Sequence, residues 1–306
     1  MLAAVAGDVA GGADPEGYSA VTQCATVVAY HIMVRGEVDR SALEHEFLEM
    51  DGHLEGDVPT LRGVSDELRS WLDSAKEGEA AAWTEPSAEP ASRVAPLAVW
   101  LRRKPEELVV AAVEVARMTH LDASTVVLAA AAAAAVAAAC FAQGGRDLLF
   151  AGAETAEWAL ARIDEERYRF GAVDEARGIP GRLRELAEIV ELPIADKVER
   201  FAPDGKVEGT DGVYFGLTVA APMTVDPIKA IEAGGVYGGS VVGALVGGIV
   251  GARVGLRRWP WVVPNDTWFA EIGRRLAANN PEVRDLPVPY AVEERFVLPR
   301  PEQYID

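Results

Sequence analysis

The chain has 306 residues, half of them apolar, which is enough for a sizeable core. It carries 48 acidic against 29 basic residues, a net charge of -19 at pH 7. Such a balance argues against a general nucleic-acid or anionic-membrane surface, because those surfaces need stripes of basic side chains. Cys24 and Cys140 lie far apart and give no metal spacing.

Three further features bear on the cellular compartment and on the source of the protein. The first twelve residues have no basic segment and reach Asp8 early, so they predict no signal peptide. Two lone cysteines are typical of a reducing compartment. The excess of Ala, and of Arg over Lys, indicates a GC-rich bacterial genome. We therefore expect a cytoplasmic bacterial protein that binds neither nucleic acid nor membrane.

Helical signals dominate in chain order, and alternating strand patterns are scarce. Asp39 or Ser41 is a candidate cap for a helix to Met50, and Ser65 caps the helix that follows it. Residues 77–92 are predicted to be a loop, and Asp122 to cap an Ala-rich helix. Further helices are predicted over residues 24–34, 65–75, 104–118, 153–166, 182–191, 226–232, 239–254 and 266–278.

Two apolar stretches, residues 125–142 and 234–252, imitate membrane spans. Ala and Gly contribute little to membrane insertion, and a span needs about 20 strongly apolar residues. Both stretches are therefore predicted to be helices buried inside a helical protein, where small side chains let backbones approach closely. Residues 211–220 are the best candidate for a strand, and a buried helix there fits equally well.

No repeat and no break in composition divides the chain, so we expect one helical domain over residues 1–280. The tail, residues 281–306, holds five prolines and several aromatic residues. It is predicted to be extended and to lie on this subunit or on a partner. A homo-oligomer formed through the tail is one expectation that follows.

Four sequence blocks occur in a familiar order. Gly7–Gly11 resembles G-D-A-x-G, and Ser19–Gln23 resembles T-D-D-T-Q before a helix. Ser92–His120 resembles an M-R-x-x-P-L-G block that runs to T-H before an Ala-rich helix, and Tyr237–Leu256 resembles G-G-D-T-D-T before a Gly/Ala-rich helix. Over residues 2–260 the chain is similar to the ADP-ribosylglycohydrolase family, which includes the dinitrogenase-reductase-activating glycohydrolase.

The resemblance implies an all-α orthogonal helix bundle with one central cleft that normally holds two Mg²⁺ ions and an ADP-ribosyl group. The metal-binding aspartates of the family fall here on Ala20, Val21, Gly238 and Ser240. Mg²⁺ needs oxygen ligands and neutralising carboxylates, which these side chains do not supply. Loops on the ligand side are also shortened or replaced. The matching therefore implies a reshaped cleft without metal, and we expect no cofactor.

Around that cleft the resemblance implies a set of ligand-binding residues. They are Tyr18, Ser19, Ala20, Val21, Thr22, Tyr237, Gly238, Gly239 and Ser240. Asp8, at a predicted helix end or turn, is a candidate general base, and His120 with Asp122 is a candidate acid/base pair. For each of these three residues the alternative is a helix cap or a locally satisfied side chain.

Three hypotheses about function remain open. The first is a metal-independent enzyme of bacterial secondary metabolism that cyclises, isomerises or eliminates a largely apolar small molecule by positioning it. The second is a non-catalytic pseudoenzyme that acts as a binding, regulatory or structural protein. The third is residual ADP-ribosyl hydrolysis, with one Mg²⁺ gathered by Asp8, Asp14 and Glu16.

Overall fold

The computed structural model describes residues 1–12, 17–52, 59–79, 81–255 and 259–297. These residues form an all-α protein with two isolated β-bridges, a short 3₁₀ helix at Arg167–Arg169 and no strand. In chain order the α-helices are α1 Leu2–Gly11, α2 Ala20–Arg35, α3 Arg40–Met50, α4 Asp66–Lys76, α5 Glu89–Arg93, α6 Ala95–Leu101, α7 Pro105–Arg117, α8 Ala123–Ala139, α9 Arg146–Glu165, α10 Val173–Ala176, α11 Ile179–Ala187, α12 Ile194–Phe201, α13 Asp211–Ala220, α14 Pro227–Val254, α15 Asp266–Ala278 and α16 Pro289–Val297.

The Ala-rich helix α8 forms the centre of the bundle. Every one of its residues except Ser124 is buried, and α5, α6, α7, α9, α10 and α14 pack around it. A helix that is apolar on all sides is stable only where other elements cover all of it. The prediction of a buried helix in this stretch is confirmed.

Helices α1 and α14 pack backbone against backbone through glycines. A Cβ atom added to Gly7 would lie 1.9 Å from the carbonyl oxygen of Gly243, and one added to Gly243 would lie 2.1 Å from that of Gly7. Farther along, a Cβ on Gly247 would lie 1.9 Å from the carbonyl oxygen of Ala3. Real side chains do not fit at such distances, so glycine is required for this close approach.

Gly239 interrupts α14 with a φ of 66° and a ψ of -167°, which lie outside the helical region. Residues Pro227–Val254 are therefore two helices joined at a kink, in agreement with the two helices predicted over residues 226–232 and 239–254; both parts keep the label α14. Among the described residues, α14 alone is long and apolar enough to cross a membrane, but 72% of its most apolar window is buried in the protein. This burial favours a core helix, as the sequence predicts.

Three predictions about secondary structure are corrected. Residues 211–220 form helix α13, so the strand alternative is wrong. The predicted loop over residues 77–92 ends in α5, and the tail predicted to be extended contains α16. Both helices have proline in the first turn, Pro90 and Pro289. A proline there lacks only an N–H that would be unpaired anyway, so it starts a helix as readily as it breaks one.

Candidate functional site

Asp8 lies in the last turn of α1, where its backbone oxygen accepts from the N–H of the C-cap residue Gly12, so the predicted helix end lies close to this residue. Its carboxylate is fully buried and accepts hydrogen bonds from the backbone N–H groups of Ser19 (2.9 Å) and Thr22 (3.1 Å) and from the Ser19 hydroxyl (2.8 Å). Burial raises the pKa of Asp8, while hydrogen bonds from Thr22, Ser19 and Ser240 act to lower it. The geometry is that of a cap at the N-terminus of α2, supplied by another helix.

The two segments that carry metal-binding aspartates in the family meet at Asp8 in this chain. Ser240, which begins the second part of α14, donates its hydroxyl hydrogen to the backbone oxygen of Asp8 at 2.9 Å. Ser19 is the N-cap of α2, and its hydroxyl accepts from the N–H of Val21. Ala20 is buried and Val21 partly exposed. The structure therefore brings together Asp8, Ser19–Thr22 and Ser240, as the resemblance implies.

The donor atoms at this place do not fit two Mg²⁺ ions. Ala20, Val21 and Gly238 offer no side-chain oxygen, and the Ser240 hydroxyl is committed to a carbonyl. The Asp8 carboxylate already accepts three hydrogen bonds, whereas Mg²⁺ demands nearly ideal octahedral oxygen coordination. Among the described residues no three His, Cys, Asp or Glu side chains are grouped as metal ligands. Asp14 and Glu16 lie outside the described residues.

Tyr18 belongs to a buried polar network that joins the start of α2 to α16. Its hydroxyl donates to Glu293 at 2.8 Å, and Glu293 also accepts from Gln23 (3.0 Å) and Arg62 (2.9 Å). Glu293 is only 2% exposed, and burial raises its pKa although the Arg62 guanidinium opposes that shift. Burial likewise raises the pKa of Tyr18. Tyr18 has no exposed surface, so in this structure it braces α2 and does not face open space.

The other predicted ligand residues surround the kink in α14. Tyr237 is partly exposed and packs its ring edge-on against Phe215, with 6.3 Å between ring centroids. Its carbonyl accepts from the N–H of Val207 at 2.8 Å. Gly238 and Gly239 are partly exposed at the kink itself. Tyr237, Gly238 and Gly239 are thus partly exposed, whereas the next residue, Ser240, is buried.

His120 and Asp122 do not form the predicted acid/base pair. Asp122 caps α8 by accepting from the N–H (2.7 Å) and the hydroxyl (2.8 Å) of Thr125. His120 is fully buried and shares a 2.8 Å hydrogen bond with Thr119 through Nδ1. Burial, with the charge of Arg93, lowers the pKa of His120 to about 3. In the described part of the chain no hydrogen bond joins the side chains of His120 and Asp122.

A cavity of about 200 Å³ opens where several helices begin. Ser65 caps α4, Glu89 begins α5, Gly212 lies in the first turn of α13, and Gly238 precedes the kink in α14. The wall consists of Ser65, Glu67, Pro86, Ser87, Ala88, Glu89, Val207, Gly209, Gly212, Gly238, Val241 and Val242. The cavity thus borders one of the positions that carry metal-binding aspartates in the family. Its wall mixes apolar groups with carboxyl and hydroxyl groups.

Glu89 is the notable group in this wall, and it was absent from the sequence-based candidates. Its carboxyl accepts from the Ser65 hydroxyl at 2.5 Å and lies 3.7 Å from Nη1 of the buried Arg93. Burial raises the pKa of Glu89, and nearby Glu67 adds to that shift, whereas Arg93 and Ser65 oppose it. The sequence does contain a local signal for a helix start at Glu89. Glu89 precedes Pro90 and stands four residues before Arg93, a spacing that places the two charged side chains on one helix face.

These features define a helical bundle with a small ligand-sized cavity beside a Gly-rich kink. The sequence profile of the ADP-ribosylglycohydrolase family matches residues 3–285, and the chain belongs to that family. No curated protein matches the chain. Helix α16, which carries Glu293, follows the matched residues.

Proposed function

We propose that this protein is a metal-independent enzyme of bacterial secondary metabolism, built on the ADP-ribosylglycohydrolase fold. Its substrate is a small molecule held in the cavity beside Gly238, and the reaction is a cyclisation, isomerisation or elimination. The observation that carries the proposal is Glu89, a buried carboxyl group in the cavity wall. Each of these reactions needs a proton delivered or removed at a fixed place.

The environment of Glu89 suits that task. Burial favours the protonated form of a carboxyl group, and a raised pKa makes it a better proton donor near neutral pH. Ser65 and Arg93 fix the orientation of the carboxyl group. No step requires a metal ion, so the loss of carboxylates at Ala20, Val21 and Gly238 is compatible with the reaction.

The cavity also restricts the ligand. Its volume of about 200 Å³ is below the ~300–1,000 Å³ of sites for drug-sized ligands, so a small substrate, or the reactive end of a larger one, enters it. Val207, Val241 and Val242 are among the apolar residues of its wall, and Glu67 and Glu89 are its two carboxyl-bearing residues. We therefore expect a largely apolar ligand that carries a polar group at its reacting end.

The experiment compares wild type with Glu89→Gln, which keeps the size of the side chain but cannot exchange a proton. Each purified protein is incubated with a metabolite extract of the source organism in EDTA, and consumption is followed by mass spectrometry. We expect a conversion that persists in EDTA and falls at least 100-fold in the variant. Glu185→Gln, an exposed change on α11, is the matched control.

The outcomes separate the candidates. A conversion that survives Glu89→Gln contradicts the role of Glu89. Hydrolysis of an ADP-ribosyl compound that requires Mg²⁺ would restore the third hypothesis.

A second candidate, a non-catalytic binding or structural protein, is favoured by one observation. Two of the four positions that carry metal-binding aspartates in the family, Ala20 and Ser240, are at most 6% exposed, and the neighbouring Ser19 and Thr22 are buried as well. Binding of a metabolite without conversion would support this candidate over the enzyme.

A further inference from the structure

A surface groove of about 380 Å³ lies on the side of the bundle formed by α7 and the turn between α2 and α3. We name it the acidic groove. Its wall consists of Gly36, Glu37, Val38, Leu101, Glu106, Glu107, Val110, Ala111 and Glu114. None of these residues lines the cavity beside Gly238, so the groove is independent of the function proposed above.

The floor and the rim of the groove differ in chemistry. Leu101 and Ala111 are buried in the floor, while Val110 is 39% exposed and faces solvent. The rim carries four glutamates, and three of them stand on α7 at positions 106, 107 and 114. Because residues three and four apart share one helix face, α7 presents an apolar centre flanked by carboxylates over about 12 Å.

Only part of this negative charge is balanced within the chain. Lys104 pairs with Glu107 at 2.9 Å, and Arg117 pairs with Glu114 at 2.8 Å. Glu37 and Glu106 are exposed, and among the described residues neither has an ion-pair partner. Two carboxylates at the rim are therefore available to a cationic partner.

Charge identifies the kind of partner that fits. An amphipathic helix can lay its apolar face in such a groove while Lys or Arg side chains meet the rim. A second copy of this chain fits poorly, because each copy carries a net charge of -19 and like charges repel. Nucleic acids and anionic lipids are repelled for the same reason.

We propose that the acidic groove docks a cationic amphipathic helix of a partner protein. Val110 contacts its apolar face, and Glu37 and Glu106 pair with its basic residues. The complementary charges speed association and fix the orientation of the helix.

The test uses a fluorescein-labelled 18-residue helical peptide of leucine and lysine with one apolar face, and fluorescence anisotropy at 0.15 M salt. We expect Glu37→Gln/Glu106→Gln to weaken binding at least five-fold, and Val110→Ser, which removes the apolar contact without adding charge, to weaken it as well. The control is Glu185→Gln/Glu199→Gln, exposed changes on α11 and α12 that alter the net charge equally. It should leave Kd within two-fold.

Three results would overturn the proposal. One is equal weakening by the groove variants and the control, which would indicate attraction to the whole acidic surface. Another is equal binding of a peptide of the same composition without an apolar face. The last is self-association of the wild-type protein in sedimentation that the groove variants abolish, which would make a second copy the occupant.

Discussion

His120 shows how far a side chain can depart from the role suggested by its neighbours in sequence. It lies two residues before Asp122, but Asp122 points to Thr125 while His120 is buried and electrically neutral. A neutral histidine inside a protein makes folding stability depend on pH, because the unfolded chain gains a proton that the folded protein refuses.

We therefore expect stability to fall as the solution is acidified through His120. The folded pKa of about 3 lies below the ordinary value of 6.5, so the contribution is complete above pH 6.5 and is lost as pH falls. The slope is at most about 1.4 kcal/mol per pH unit. Urea unfolding of wild type and His120→Gln at pH 7.5, 6.5 and 5.0 measures it. A wild-type slope equal to that of the variant would contradict this account.

At the same scale, caps could be predicted and distant partners could not. Ser65 and Asp122 cap their helices as predicted, because each bonds an N–H three residues ahead. Asp8 bonds Ser19 and Thr22, which lie 11 and 14 residues further along the chain, and Glu293 bonds Tyr18 from 275 residues away. No local pattern reveals such a pair, and for the same reason the sequence did not identify Glu89 as a cavity residue.

At the scale of elements, helix type was predictable and helix boundaries were less so. Long apolar stretches without charges predicted α8 and the second part of α14 well, because burial on all sides leaves a clear compositional signal. The short helices α5 and α16 were predicted to be loop and extended tail, since prolines were read as breakers. Only the packing of each helix against the bundle decides such cases.

The glycine contact between α1 and α14 leads to a prediction about these elements. Gly243→Ala places a Cβ where the carbonyl oxygen of Gly7 lies, so the helices must separate, and we expect a loss of roughly 1–3 kcal/mol or more in unfolding free energy. Gly181→Ala is the matched control, because a Cβ there meets nothing within 4 Å in α11. It should stabilise by about 0.5–1 kcal/mol. Thermal unfolding followed by circular dichroism compares the two, and equal effects would contradict the role of the contact.

At the scale of the whole molecule, the sequence predicted the fold but not the contact between α16 and the helices near the beginning of the chain. The all-α bundle follows from four family-like blocks and is confirmed by the structure. Helix α16 packs on α2 and α3, and this packing brings Glu293 to Tyr18, Gln23 and Arg62. The described part of the tail thus lies on its own chain, and an oligomer formed through the tail stays a prediction.

We expect Glu293→Ala to destabilise the protein by roughly 3–5 kcal/mol, because it removes the buried carboxylate that pairs with Arg62 and accepts from Tyr18 and Gln23. Glu294→Ala, a partly exposed change on the same helix, should cost about 0.5 kcal/mol or less. Urea unfolding at pH 7.5 measures both variants. Equal midpoints for the two would show that the buried network adds no stability.

The position of Glu293 also has a consequence for synthesis on the ribosome. Residues 18, 23 and 62 leave the exit tunnel long before residue 293 does. During that interval the side chains of Tyr18 and Gln23 lack their acceptor on Glu293, and α1 lacks the glycines of α14 against which it packs. Helices α7, α8 and α9 are close in sequence and can pair as they emerge. We therefore expect the middle of the chain to fold first, and the first helices to be made to reach their final packing among the last.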